Sequence, residues 1–243
     1  MRRIAIFTEG QSEQVFIRHL LGHIVDYSEL SFECLSLYAD REQKAPFSYR
    51  GGNAKLHFMI VNVAGDTKVL SAIKEREKGL VEKGFEKILG LRDLYSQAYR
   101  DLSPNGIDEG VSYEIIRGSQ STIAQMMNPD RIVLHFCIME LEAWFLSMYN
   151  LFKRMHDQLS VEYIEANLGF NLKTCDPQRE FYQPSKQLGM VFGLFGAIYS
   201  KSFDDVEKIC GRIEPVDLDE GNENGRCQAL KAFLDELRNL SKP

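Results

Sequence analysis

The chain of 243 residues has little of what marks secreted, membrane-spanning or disulfide-stabilised proteins. Its five cysteines are odd in number and scattered, so they indicate neither a disulfide framework nor a zinc site. The most apolar segment, residues 189–199, is too short to cross a bilayer. The apolar run near the N-terminus is too short for a signal peptide. We therefore expect a cytoplasmic protein with no membrane partner.

Positive charge is also scarce, with 29 Lys and Arg against 35 Asp and Glu and a formal net charge of −6. The strongly basic surface typical of proteins that coat nucleic acid is therefore absent. Any contact with nucleic acid must come from a local site. At 44% hydrophobic and 26% charged residues, the composition is that of an ordinary globular protein with one or two domains.

Three common catalytic or phosphate-binding motifs are missing as well. The chain has no Gly-x-Ser-x-Gly elbow, no Gly-Lys-Ser/Thr phosphate loop and no Gly-x-Gly-x-x-Gly dinucleotide fingerprint. His19 and His23 stand four apart on a predicted helix, but Leu20 and Leu21 lie between them. The glutamate that a helical zinc-protease motif needs is therefore lacking.

Short apolar runs alternate with helical periodicity up to about residue 150, which predicts an α/β domain with a mainly parallel sheet flanked by helices. Strands are predicted for residues 4–8, 32–38, 57–64, 85–91 and 131–139, with a loop or hairpin over 46–53 and a helix over 140–152. Beyond residue 150 the helical period dominates, with helices predicted over 161–168, 186–199, 203–213 and 226–240 and a solvent loop over 214–225. We expect domain 1–150 to be α/β and 151–243 to be a helical C-terminal extension packed on it.

Acidic residues stand where three of the predicted strands end. Glu9, Asp93 and the pair Glu140 and Glu142 each follow an apolar run. In an open parallel sheet, ligands bind beyond the carboxyl ends of the strands. Carboxylates from separate strands can hold Mg²⁺, which prefers oxygen ligands. The alternative is that each carboxylate is an ordinary loop residue at the surface.

Three segments resemble a known superfamily. The segment Thr8-Glu9-Gly10-Gln11-Ser12-Glu13 resembles the Glu-Gly-x-Ser/Thr-Glu signature of Toprim-like proteins, and Leu91-Arg92-Asp93-Leu94-Tyr95 resembles their acidic motif at a strand end. The segment Glu140-Leu141-Glu142-Ala143-Trp144-Phe145-Leu146 is similar to one in a family of uncharacterised bacterial Toprim-related proteins, which are related to defence-associated Toprim proteins. The resemblance covers about the first 150 residues.

This resemblance implies a Toprim fold, in which a four-stranded, mainly parallel sheet lies between helices. It also implies carboxylates that bind Mg²⁺, or Mn²⁺ in its place, for nuclease-like phosphodiester chemistry. The implied partners are nucleic acid, reached through a local site, and a protein of a phage-defence system. A Toprim-like binding or regulatory module without catalysis is the alternative that the resemblance leaves open.

The residues that match the motifs carry the expected roles. The metal ligands are expected to be Glu9, Asp93 and Glu142, and the catalytic residues Glu9, Glu13 and Lys186. Glu13 also falls in the first turn of a predicted helix, where the macrodipole favours an acid for structural reasons. Lys186 belongs to none of these motifs: it stands at a predicted helix start, where a lysine could neutralise charge that develops on a scissile phosphate, and the favoured alternative is a solvated surface lysine.

One departure from the superfamily pattern affects the metal site. Where Toprim-like proteins have Asp-x-Asp, this chain has Asp93-Leu94-Tyr95, so the second acid is missing unless Glu142 replaces it. Because Glu140 and Glu142 are two residues apart, they diverge by about 200° on one regular helix. Both reach one site only if the helix begins between them.

Overall fold

A computed structural model describes residues 1–38, 41–65 and 67–242. It divides into two compact units, each assembled from separated stretches of chain. Unit 1 comprises Met1–Arg92, Glu109–Phe136 and Leu237–Pro243, and unit 2 comprises Asp93–Asp108 and Cys137–Glu236. The single domain boundary near residue 150 stays a prediction.

Six strands form one sheet within the described residues. They are β1 (Arg2–Thr8), β2 (Leu30–Tyr38), β3 (Arg41–Arg50), β4 (Leu56–Asn62), β5 (Lys87–Asp93) and β6 (Ile132–Cys137). Their order across the sheet is β3-β2-β4-β1-β5-β6. Strand β1 runs parallel to β4 and β5, β2 runs parallel to β4, and β3 is antiparallel to β2. The predicted α/β class with a mainly parallel sheet is confirmed, with six strands where the resemblance implies four.

The helices described are α1 (Gln11–Ile24), α2 (Lys68–Glu82), α3 (Gln97–Leu102), α4 (Glu109–Ala124), α5 (Glu142–Ser147), α6 (Leu151–Met155), α7 (Val161–Leu168), α8 (Pro177–Glu180), α9 (Pro184–Gly193), α10 (Phe203–Cys210), α11 (Pro215–Glu220) and α12 (Gln228–Ser241). Short 3-10 turns lie at Pro129–Arg131 and Glu223–Gly225. No helix among residues 1–38, 41–65 and 67–242 combines the length and the apolar character needed to cross a membrane.

Helices cover the sheet of unit 1. Helix α1 packs against β1, β2 and β4, and α2 packs against β1. The Gln14 side chain of α1 reaches into the sheet and donates to the carbonyls of Leu35 (2.8 Å) and Ile60 (3.0 Å). A core cluster that includes Phe7, Val61 and Ile73 is buried within this unit. Burial of these apolar side chains stabilises the unit. Backbone hydrogen bonds between neighbouring strands then hold the carboxyl ends of the strands in fixed positions.

Several predicted elements differ from the structure. Residues 140–152 form two short helices, because the chain leaves helical geometry at Met148 (φ −83°, ψ 64°). Helix α9 ends at Gly193, where the prediction extends a helix to Tyr199. The predicted loop over 214–225 contains α11, and helices α3 and α4 lie between β5 and β6, where the sequence predicts no helix.

Candidate functional site

Glu9 directly follows β1 in unit 1, and its backbone is fixed by the neighbouring strands. The amide of Glu9 donates to the carbonyl of Leu91 (3.2 Å), and its carbonyl accepts from the amide of Gly65 (3.0 Å). The residue is half-buried. The structure therefore places Glu9 at the carboxyl end of a central strand, as predicted from the apolar run before it.

Glu13 has a structural task at the start of α1. Its side chain is buried, and Oε2 accepts a hydrogen bond from the amide of Gly10 at 2.9 Å. This contact satisfies one of the amide groups that a helix N-terminus leaves without a partner inside the helix. This contact supports a structural role for Glu13 at the helix N-terminus. Its catalytic role stays a prediction.

Asp93 lies in unit 2, beside the segment that follows β6. The amide of Leu94 donates to the carbonyl of Cys137 (2.9 Å), and the amide of Tyr95 donates to the carbonyl of Met139 (2.8 Å). The Asp93 carboxylate accepts from the amide of Leu141 through Oδ1 at 3.0 Å. Asp93 therefore binds the backbone at Leu141, between Glu140 and Glu142.

Glu140 and Glu142 bind the same ammonium group. Helix α5 begins at Glu142, so Glu140 precedes the helix and the two side chains need not diverge. The Nζ atom of Lys201 lies 2.7 Å from Oε1 of Glu140 and 3.2 Å from Oε1 of Glu142. Both carboxylates are buried, with Glu140 6% and Glu142 1% exposed. The structure therefore brings together two carboxylates and one lysine.

Further hydrogen bonds hold the two carboxylates in position. Oε2 of Glu140 accepts from the amide of Ser185 (2.8 Å), and Oε1 accepts from the Ser185 hydroxyl (3.1 Å). The hydroxyl of Tyr199 donates to Oε1 of Glu142 at 2.7 Å. These neutral donors fix the orientation of each carboxylate without adding charge, so Lys201 is the cation that both acids contact in this cluster.

Burial and neighbouring charges shift the pKa values of the cluster. Burial raises the pKa of Glu142, and this rise is opposed by the Lys201 ammonium and increased by the Glu140 carboxylate. Burial alone would lower the pKa of Lys201, but Glu142 and Glu140 raise it above its ordinary value, and Asp93 adds to the rise. The pKa of Tyr199 is raised by burial and by Glu142, so its hydroxyl stays a donor. One ammonium thus faces three carboxyl groups.

Two residues at the cluster have left-handed backbone geometry, which is uncommon outside glycine. Met139, directly before Glu140, has φ 63°, and Lys201 has φ 56°. Such conformations cost free energy and persist where the surrounding structure enforces them, often at functional sites. Met139 directly precedes the carboxylate pair in the chain, and Lys201 contacts both carboxylates. Both observations support this cluster as the candidate site.

The lysine of the cluster is not the one selected from the sequence. Lys186 is exposed in the first turn of α9, whereas Lys201 follows that helix and contacts the acids. Tyr199 and Ser185 were also missed as partners of the acids. Gly193 and Gly196 are the sequence signal that could have identified these partners. They mark an early end of the helix, after which the chain can turn toward α5.

The donor chemistry fits a single hydrated Mg²⁺ under one condition. In the described parts of the chain, no group of three or more His, Cys, Asp or Glu side chains is arranged to hold a metal ion. However, Mg²⁺ is commonly held by one or two carboxylates together with waters and substrate phosphates. Glu140 and Glu142 supply two such carboxylates once the Lys201 ammonium leaves them. The predicted sharing of one ion by Glu9, Asp93 and Glu142 stays a prediction.

Comparison of the chain with protein-family models, with curated proteins and with solved structures finds no match.

Proposed function

We propose that this chain is a Toprim-like, Mg²⁺-dependent protein that acts on phosphodiesters in the manner of a nuclease. The observation that carries the proposal is the convergence of Glu140 and Glu142 on one cation position, taken by the Lys201 ammonium. Nucleic acid is the proposed substrate class, and phage defence is the proposed setting, both from the motif resemblance. Mn²⁺ is expected to substitute for Mg²⁺ because it accepts the same oxygen ligands.

Each residue of the cluster has a role in this proposal. Glu140 and Glu142 would hold the ion, which when bound would activate water and screen the phosphate. Ser185 and Tyr199 would orient the two carboxylates through the hydrogen bonds described above. Lys201, displaced from the carboxylates once the ion binds, would remain beside them and stabilise negative charge that develops on a bound phosphate.

A calorimetric titration with Mg²⁺ tests the metal site directly. Glu142→Gln keeps the volume of the side chain and its capacity to accept from Tyr199, but it removes the charge. We expect heat of binding from the wild type and loss of that heat in Glu142→Gln. Glu162→Gln, an exposed change in α7, is the matched control and should bind like the wild type.

Hydrolysis of single- and double-stranded DNA by the same three proteins then tests the reaction. We expect Mg²⁺-dependent cleavage by the wild type and by Glu162→Gln, and none by Glu142→Gln. Thermal unfolding adds a check, since an ion present at 100 times its Kd stabilises the folded protein by about 2.7 kcal/mol. No heat from the wild type, or equal heat from Glu142→Gln, would remove the metal site.

The second candidate function is a binding or regulatory module without catalysis. It is favoured by the fact that both carboxylates already have partners within the chain, namely Lys201, Ser185 and Tyr199. In this case the cluster is a structural clamp, and a protein of a defence system is the proposed partner. Glu142→Gln should then change the melting temperature of the protein without changing its response to Mg²⁺.

A further inference from the structure

The segment of residues 194–202 connects α9 to α10 and carries Tyr199 and Lys201 to the carboxylates. We call this segment the strap. We propose that Lys201, carried on the strap, is a displaceable plug, so that binding of its ammonium and binding of a divalent cation at Glu140 and Glu142 exclude each other. This inference rests on the function proposed above and specifies how the site is regulated.

The exclusion follows from the atoms that the ammonium occupies. Lys201 binds Oε1 of both Glu140 and Glu142, at 2.7 and 3.2 Å. Oε2 of Glu140 accepts from the amide of Ser185 (2.8 Å), so a divalent cation that bridges the two carboxylates at about 2.1 Å would use Oε1 of Glu140, which the ammonium occupies. Two cations at one pair of oxygens would also repel each other strongly in a buried setting. An ion can therefore enter only when the ammonium moves away.

Few apolar contacts hold the strap down. Each of residues 194–202 is half-buried or exposed, and Ile198 is 86% exposed. Its aromatic contacts include those of Phe195 with His156 (5.2 Å between ring centroids) and with Phe192 (5.4 Å), and that of Tyr199 with Phe192 (5.3 Å). Segments with little buried apolar surface open at low free-energy cost.

The strap also has a fixed end and a strained residue next to it. The amide and hydroxyl of Ser200 both donate to Oδ2 of Asp205 in α10, at 2.8 Å each. Lys201 lies just beyond Ser200 with φ 56°, a conformation that only its surroundings maintain.

Calorimetry with Mg²⁺ on three variants tests whether Lys201 competes with the ion. Lys201→Met removes the competitor, so the apparent Kd for Mg²⁺ should fall at least about tenfold, because every molecule is then competent to bind. Lys201→Arg keeps a cation on the strap and should stay within about threefold of the wild type. Lys208→Met removes an equal charge from an exposed position in α10 and controls for the change in net charge.

Trypsin cleavage after Lys201 reports the position of the strap independently of any activity. The seated ammonium is held by Glu140 and Glu142, which keeps it from the protease. Mg²⁺ should therefore accelerate cleavage after Lys201 several-fold in the wild type and leave it unchanged in Glu142→Gln. Cleavage after Lys208, followed by mass spectrometry in the same samples, corrects for any effect of Mg²⁺ on trypsin.

The possible results separate the two proposals. If the wild type binds Mg²⁺ but Lys201→Met binds it no more tightly than Lys208→Met, the plug is refuted and the metal site stands. Unchanged cleavage after Lys201 at saturating Mg²⁺ has the same meaning. If the wild type does not bind Mg²⁺, the proposed metal-dependent function fails, and the plug fails with it.

Discussion

Arg226 places a guanidinium group inside unit 2, where the side chain is only 4% exposed. It donates to backbone carbonyls rather than to a carboxylate. The acceptors are the carbonyls of Leu172 (2.6 Å), Cys175 (3.3 Å), Ser147 (3.4 Å) and Glu220 (2.9 Å). Ser147 is the last residue of α5, the helix that begins with Glu142. Arg226 therefore ties together separated stretches of the unit that carries the candidate site.

Arg226→Met should destabilise the protein by about 3 kcal/mol. Methionine retains much of the apolar volume, but it leaves the carbonyls without a donor, at about 1–3 kcal/mol for each well-bonded group. The contacts to Leu172 and Glu220 are short enough to count fully, and those to Cys175 and Ser147 are weak. Relief from burying a charge offsets part of this loss.

Urea denaturation followed by circular dichroism measures the change for Arg226→Met. Arg212→Met, an exposed change in the same unit, should stay within about 0.5 kcal/mol of the wild type. Arg226→Lys should fall between the wild type and Arg226→Met, because one ammonium cannot reach four carbonyls. A loss below about 1 kcal/mol in Arg226→Met would show that the carbonyls do not depend on this guanidinium.

Two further predictions concern a buried carboxylate and a half-buried histidine. Asp217 is fully buried and accepts from the Arg154 guanidinium and from the amide of Glu214 (2.6 Å), so Asp217→Asn should cost about 3 kcal/mol in thermal unfolding. Adding Arg154→Met to that variant should cost little more, because the pair is already broken. Burial and then Lys87 lower the pKa of His135 to about 4, so the unfolded chain takes up a proton that the folded chain excludes. Stability should therefore fall as the pH drops from about 6.5 to about 4, by at most about 3 kcal/mol, and His135→Gln should flatten that part of the curve of melting temperature against pH.

The strands were predictable because each central strand is a short apolar run that ends at a polar residue. Residues 4–8 and 85–91 overlap β1 and β5, whose middle residues are buried on both faces of a parallel sheet. Helix α4 was not predicted, because only Ser119 and Ile123 are buried along it and its apolar periodicity is correspondingly weak.

The acids of the candidate site could be found from the sequence, but their partners could not. Asp93 ends β5 and Glu142 lies shortly after β6, and position in the chain is enough to select them. Lys201 lies 61 residues beyond Glu140, and Ser185 lies 45 residues beyond it. Contacts over such separations depend on how helices pack, which no local spacing encodes.

Tyr95, which stands where the Toprim-like pattern has a second acid, has a structural consequence for the carboxylate pair. Its hydroxyl accepts a hydrogen bond from the side chain of Gln183, the residue directly before α9. Two residues later, Ser185 binds Glu140 through its amide and its hydroxyl. A neutral phenol thus positions the start of α9 without adding a charge beside Glu140, whereas an aspartate there would add like charge to the acids. In the proposed metal site, one acid fewer and one lysine among the acids would favour a single weakly held ion over a pair of ions.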